Sequence, residues 1–153
     1  MRKRSYALFI LVFVLSFTGR SQDFNGDDIR SMSDGYHTIY WENGTKYYGE
    51  IFNGEFSGKG NMVWPDSSFY EGSWQNGLRH GKGHMKWSSG REYDGRWKGD
   101  EPHGKGEMHW PDGRAYRGQF RQGKMHGKGK LKSVDGSVWK GEFKDNKPVK
   151  DEG

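Results

Sequence analysis

The chain of 153 residues contains no cysteine. That excludes a disulfide framework, thiolate-ligated zinc and a thiol nucleophile. Aliphatic side chains are scarce where a core would need them. After residue 21 only nine Ile, Leu and Val remain: Ile29, Ile39, Ile51, Val63, Leu78, Leu131, Val134, Val138 and Val149. Two packed layers of secondary structure cannot be held together by so few. Catalytic signatures are missing as well. There is no Gly-x-Ser-x-Gly elbow, the carboxylates are scattered among turns, and the Gly-Lys-Gly steps lack the rest of a phosphate-binding loop. The chain therefore reads as a non-enzyme without cofactor or metal. What it has in quantity is glycine, with 25, and aromatics, of which twenty lie beyond residue 21. Any core must be built from rings.

Residues 1–21 have the layout of a secretory signal peptide. Arg2, Lys3 and Arg4 precede an uncharged apolar run from Ala7 to Phe17, and Gly19 and Ser21 stand at the −3 and −1 positions of a cut before Gln22. Eleven helical residues span roughly 16 Å, about half a bilayer's hydrocarbon thickness, so a cleaved leader is expected rather than a membrane anchor. The expected location is secreted or periplasmic. Four of the 25 basic residues and none of the 20 acidic ones belong to this leader, leaving the mature chain at +1. Its basic pI thus gives no support to nucleic-acid binding. Charge is nonetheless uneven. Residues 22–69 hold three basic and eight acidic side chains, whereas 116–138 hold six basic and one acidic.

Self-similarity dominates the remainder. Tyr47, Tyr70, Tyr93, Tyr116 and Trp139 recur every 23 residues; Gly49, Gly72, Gly95, Gly118 and Gly141 follow two places later, then Ile51, Trp74, Trp97, Phe120 and Phe143. A second block, His-Gly-Lys-Gly-x-Met-x-Trp, is complete at His80–Trp87 and His103–Trp110. It is partial around Ser57-Gly58-Lys59-Gly60 and His126-Gly127-Lys128-Gly129, and Ile39 and Trp41 fit its columns one period earlier. The array runs over residues 36–147, with units starting at 47, 70, 93, 116 and 139. Residues 22–35 form a tail or cap, and 148–153 a C-terminal tail.

This pattern resembles the MORN (membrane occupation and recognition nexus) repeat, whose consensus is near Tyr-x-Gly-x-Trp-x-x-Gly-x-x-His-Gly-x-Gly. Unit one departs from it with Ile51 and Ser57, and unit three moves the mid-repeat glycine to Gly99. The resemblance implies an elongated, twisted, grooved sheet that mediates assembly, and it brings a link to acidic phospholipids.

The residues alone lead to a similar architecture. Both blocks alternate at period two, as half-buried strands do. Tyr70, Gly72 and Trp74 share one face and Glu71 and Ser73 the other; Gly81, Gly83, Met85 and Trp87 are expected to oppose Lys82, His84 and Lys86. Asn53-Gly54 and Asn76-Gly77 supply turns within units, and Trp110-Pro111-Asp112-Gly113-Arg114 suits a three-residue hairpin loop between units. An all-β, single-layer antiparallel meander of about ten strands follows. Two registers compete. The turn chemistry sets Trp110 opposite Arg114 and Gly106 opposite Gly118. A longer loop sets Trp110 opposite Tyr116 and Met108 opposite Gly118, pairing large with small residues, and is preferred on packing grounds.

Three kinds of residue invite a functional reading. His80, His103 and His126 lie two strands apart, ~9.6 Å, too far to share a zinc ion. They are read as turn-facing rings bonded to local backbone. Lys59, Lys82, Lys105 and Lys128 form a basic column that broadens at the C-terminal end into Arg117, Arg121, Lys124, Lys128, Lys130 and Lys132. That cluster is the candidate contact for anionic lipid or another polyanion, as a peripheral membrane contact. The edge strands and the aromatic groove are the candidate surfaces for a protein partner or a second copy. The leading expectation is an exported, non-enzymatic scaffold for protein–protein interaction or self-association, with polyanion binding as the alternative.

Overall fold

A computed structural model describes residues 24–149. The expected leader and its cut before Gln22 lie outside the described residues, as do 150–153. Twelve strands form a single sheet in which spatial order equals chain order. They are β1 (Phe24–Asn25), β2 (Gly35–Tyr40), β3 (Lys46–Phe52), β4 (Glu55–Val63), β5 (Phe69–Gln75) and β6 (Leu78–Lys86). They continue as β7 (Glu92–Lys98), β8 (Glu101–His109), β9 (Ala115–Arg121), β10 (Lys124–Lys132), β11 (Val138–Lys144) and β12 (Lys147–Pro148). Strands β2 to β12 are antiparallel; β1 adds two parallel pairs to β2. Ten full strands with a two-residue strand at each end match the meander expected from the repeat.

Two kinds of turn alternate. Within units, pairs such as Asn53-Gly54 and Asn76-Gly77 have positive φ at both residues, the mirror-image turn that suits the strand twist. Between units, Trp110 N–H donates to the Arg114 carbonyl at 3.0 Å and Gly113 N–H to the Trp110 carbonyl at 3.0 Å. The loop is therefore the three-residue one, and the register follows it: Met108 faces Tyr116 and Gly106 faces Gly118. The preferred large-against-small register is wrong. One ring needs two glycines, because Tyr93 lies along its own strand over both Gly95 and Gly106.

Carried across the sheet, this register lines up Gly49, Gly60, Gly72, Gly83, Gly95, Gly106, Gly118, Gly129 and Gly141 as direct partners, a glycine spine over nine strands. Tyr47, Tyr70, Tyr93 and Tyr116 are fully buried over it. Each hydroxyl donates to the carbonyl three residues on: Glu50, Ser73, Arg96 and Gln119, at 2.8–2.9 Å. Trp74 and Trp97 insert between successive tyrosines, their indole N–H donating to the Gly60 and Gly83 carbonyls at 3.0 and 3.1 Å. The ladder continues edge-on through Phe120, Tyr116, Phe143 and Trp139, with centroids 4.5–5.1 Å apart. T-shaped contacts of this kind add to the burial of the rings.

Strict alternation fails at one place in each unit. Ladder register shifts between Gly72 and Ser73, where β6 carries extra residues. Gly81 sits there with φ +67°, and a Cβ on it would point at Ser73 on the polar face, 3.3 Å from its Cβ. Gly81 therefore does not share the aromatic face with Gly83, as alternation led one to expect. The bulge lets the strand bend. At the N-terminal end, Met32 is buried and Ile29 packs on the ring cluster, while Asp34 accepts a bond from Asn53 N–H at 2.8 Å. Residues 29–34 thus close that end of the core.

Candidate interaction surfaces

The repeat-defining residues are consumed by the core. Tyr47, Tyr70, Trp74, Tyr93, Trp97, Tyr116, Phe120 and Phe143 are buried, Trp139 is half-buried, and the paired glycines form the floor beneath them. Burial raises the phenol pKa of all four tyrosines, that of Tyr116 to about 12. These groups are structural, so surface chemistry must come from the opposite face and from the ends.

On the polar face two rows flank the glycine spine. One runs Asn61, Glu71, His84, Asp94, Glu107, Arg117, Lys130, Lys140, each directly opposite the next. The other carries Lys59 opposite Ser73, Lys82 opposite Arg96, Lys105 opposite Gln119 and Lys128 opposite Glu142. Between them lies an open trough of about 840 Å³ whose walls include Lys82, Arg96, Lys105, Asp94, Glu107 and His84. Asp94 faces Glu107, and Arg117, Lys130 and Lys140 stand side by side. Like charges directly opposite destabilise a sheet, so packing alone does not account for this row.

Of the predicted basic residues, Arg117, Lys128 and Lys130 come together around a second hollow of about 450 Å³, joined there by Lys140 and Glu142. None of these cations has a carboxylate within 4 Å among the described residues. Arg121 and Lys124 pair beside the 122–123 turn, and Lys132 lies at the other end of β10 opposite Ala115 and Val138. The predicted cluster is therefore split between the middle and both ends of the hairpin. Sequence reasoning missed Lys140, although it stands one 23-residue period after Arg117.

The histidines do not gather. Among the described residues no group of three or more His, Cys, Asp and Glu is placed to hold a metal ion. The expected ring bonds to local backbone are not found for His80, His103 or His126 among the described residues, and the His126 Nδ1 is buried without a hydrogen-bond partner, 3.7 Å from the Asp145 carboxylate. The unit turns are held instead by backbone. Asp100 N–H donates to the Arg79 carbonyl at 3.1 Å and Asn146 N–H to that of Met125 at 2.9 Å, tying each turn to the preceding unit.

The two ends differ. At the N-terminal end β1 pairs only with Ile39 and Tyr40, and residues 29–34 cover the core with Met32 and Ile29. At the C-terminal end β12 pairs only with Phe143 and Lys144, and Val149 N–H bonds the Glu142 carbonyl at 2.8 Å. Backbone groups at period two share a strand edge, so Lys140 and Val138 direct theirs outward. Among the described residues nothing pairs with them.

No curated protein matches the chain. Among solved structures it is similar to the TCP domain of SAS-4 (dCPAP) of Drosophila melanogaster, determined in complex with a proline-rich motif of Ana2 (dSTIL). The identity is 13%, the match covers 68% of this chain and 56% of that one, and the TM-score is 0.41. The MORN repeat model, in contrast, matches four times, at residues 47–69, 70–90, 93–113 and 116–138. Those boundaries repeat the period of the buried tyrosines and paired glycines, and on both grounds the chain belongs to the MORN repeat family.

Proposed function

We propose that the protein is an exported, non-enzymatic scaffold that assembles with another protein, or with its own copies, through the open edge of β11. One observation carries this reading: the outward backbone groups of Val138 and Lys140 have no strand partner among the described residues, whereas at the other end residues 29–34 cover the core. An extended segment adding there would continue the ladder and gain main-chain hydrogen bonds, with side-chain contacts from Val138 and Trp139. Lys140→Pro tests it. Proline removes an outward N–H at an edge, where it is tolerated, and blocks strand addition. Crosslinking pull-down from the native envelope or medium, with sedimentation of the purified protein, should give a complex or dimer that Lys140→Pro loses while still folding. A partner retained by Lys140→Pro refutes the edge.

A second reading places a polyanion, such as the surface of an anionic membrane, at Arg117, Lys128, Lys130 and Lys140. The unpaired state of these four cations favours it. Each lysine or arginine beside an anionic surface contributes about 1 kcal/mol. Pelleting with phosphatidylglycerol vesicles at low and high salt tests it, since screening should release the protein. Absence of binding at low salt removes this reading.

A further inference from the structure

We propose that the axial trough of the polar face binds a linear acidic polysaccharide laid along the rod, a ligand and a site distinct from the β11 edge that meets the C-terminal cluster only at Arg117 and Lys128. Lys59, Lys82, Lys105 and Lys128 occur once per unit, on alternate strands, so they recur at ~9.6 Å along the rod. From β4 to β10 the row extends roughly 29 Å. An extended chain of acidic sugars turns its carboxylates to the same side once per disaccharide, an interval on this scale. Arg96 and Gln119 fill the intermediate strands between Lys82, Lys105 and Lys128. Lys82, Arg96, Lys105 and Lys128 are exposed and have no ion pair among the described residues, while Lys59 reaches only the Ser73 hydroxyl at 3.0 Å. From Lys82 to Lys128 the row therefore presents unspent positive charge along the trough, and Lys59 continues it beyond that hollow.

The opposite wall decides which polyanion fits. Asp94, Glu107 and His84 stand two residues away along the strands, about 7 Å from the cationic row. A carboxylate repels the phosphates of a nucleic acid or a lipid surface, but it accepts charge-assisted hydrogen bonds from sugar hydroxyls. A polyuronate carries both groups on each residue, carboxylate for the lysine wall and hydroxyls for the acidic one. No Trp, Tyr or Phe lines the trough, so it lacks the broad stacking platforms on which single-stranded nucleic acid is held. A flat bilayer meets the rims of such a channel rather than the groups along its floor. The opposed carboxylates Asp94 and Glu107, costly for the sheet alone, gain a role as hydroxyl acceptors.

The test uses the full-length protein and fluorescently labelled oligogalacturonates of increasing length, with neutral maltooligosaccharides and phosphatidylglycerol vesicles in parallel. Affinity should rise with chain length and then level off once the row is filled. Lys82→Ala with Lys105→Ala should weaken binding by about tenfold or more, equal to the loss of ~1.4 kcal/mol. Asp94→Asn with Glu107→Gln should also weaken it several-fold, although it makes the face more positive. Lys130→Ala with Lys140→Ala, which removes the two cations of the C-terminal cluster that lie outside the trough, should leave it within about twofold. Unchanged near-ultraviolet circular dichroism shows that each variant is folded. Tighter binding by the acid-wall variant refutes the trough, because general attraction to positive charge predicts that outcome. No saturable oligogalacturonate binding, equal binding of the neutral sugar, or loss of binding in the Lys130/Lys140 variant refutes it equally.

Discussion

Gly106→Ala should be among the most destabilising single-methyl additions in this protein. The nearest atoms to a Cβ at Gly106 would all belong to Tyr93: Cε2 and Cζ at 2.6 Å, with the phenol oxygen closer still. The ring has no free direction. Trp97 and Phe120 hold it edge-on at 5.2 and 5.0 Å, and its hydroxyl donates to the Arg96 carbonyl at 2.8 Å. Overpacking of this kind costs about 1–3 kcal/mol. Shifting the ring breaks a buried hydrogen bond worth about 1 kcal/mol net. Replacing glycine returns about 0.4–1 kcal/mol by restricting the unfolded chain. The balance is a loss of about 1–3.5 kcal/mol, or roughly 4–14 °C in Tm for a domain of this size. Thermal unfolding followed in the near ultraviolet would measure it. Tyr93→Leu makes room for the methyl, so in that background Gly106→Ala should cost less than about 1 kcal/mol. A Gly106→Ala protein melting at or above the parent temperature refutes the reasoning, and so does an equal cost in both backgrounds.

Trp97→Phe removes the indole bond to the Gly83 carbonyl and the face over which Arg79 sits at 4.6 Å; denaturant unfolding should show a loss of about 1–2 kcal/mol. Backbone N–H groups of Ser68 and Arg114 hold the Asp66 and Asp112 carboxyls below their ordinary range, and the Ser137 hydroxyl does so for Asp135. Their contribution is present above about pH 4, the unfolded value, and is lost as pH falls through the lowered folded values. Tm should therefore drop on acidification, less so in Asp112→Asn, since Asn43 fills the same role toward Thr45 N–H at 2.9 Å. At the alkaline end the order reverses: the buried tyrosines have raised pKa values, so their stabilisation is complete below about pH 10 and declines above it. Tyrosinate absorbance should show four phenols appearing together with unfolding, not by gradual titration. Deleting residues 93–115 joins Glu92 to Tyr116 in register; the shorter array should melt cooperatively at a lower temperature, as nearest-neighbour stacking requires.

The fold was legible because identical positions carry identical jobs. The 23-residue columns identified the buried tyrosines, and the Trp110–Arg114 loop contained the register outright. Preference for large-against-small pairing overrode that signal. It treats a ring as filling the gap opposite one glycine, whereas Tyr93 lies flat along its strand and occupies the space of two. Gly81 was misplaced because period-two counting cannot detect a left-handed residue at a bulge; its positive φ appears only once the ladder is built. The basic cluster was half legible. Arg117, Lys128 and Lys130 do meet, but counting charges along the chain also gathered Arg121, Lys124 and Lys132, which the strands carry to opposite ends. Reading columns instead of segments would have found Lys140.

The two faces divide the labour of the sequence. On the ring face, substitutions within a column stay apolar and buried: Ile51, Trp74, Trp97, Phe120 and Phe143 occupy one position in successive units. On the polar face, the column through Glu71, Asp94, Arg117 and Lys140 reverses its charge from one end of the rod to the other. The sheet needs nothing from that reversal, and like charges facing each other weaken it. A structural column would avoid the cost, as the glycine spine does by repeating without exception. In the proposed polysaccharide site this contrast has a use: the lysine row is the regular element, and the changing opposite wall is the part that would select what the row attracts.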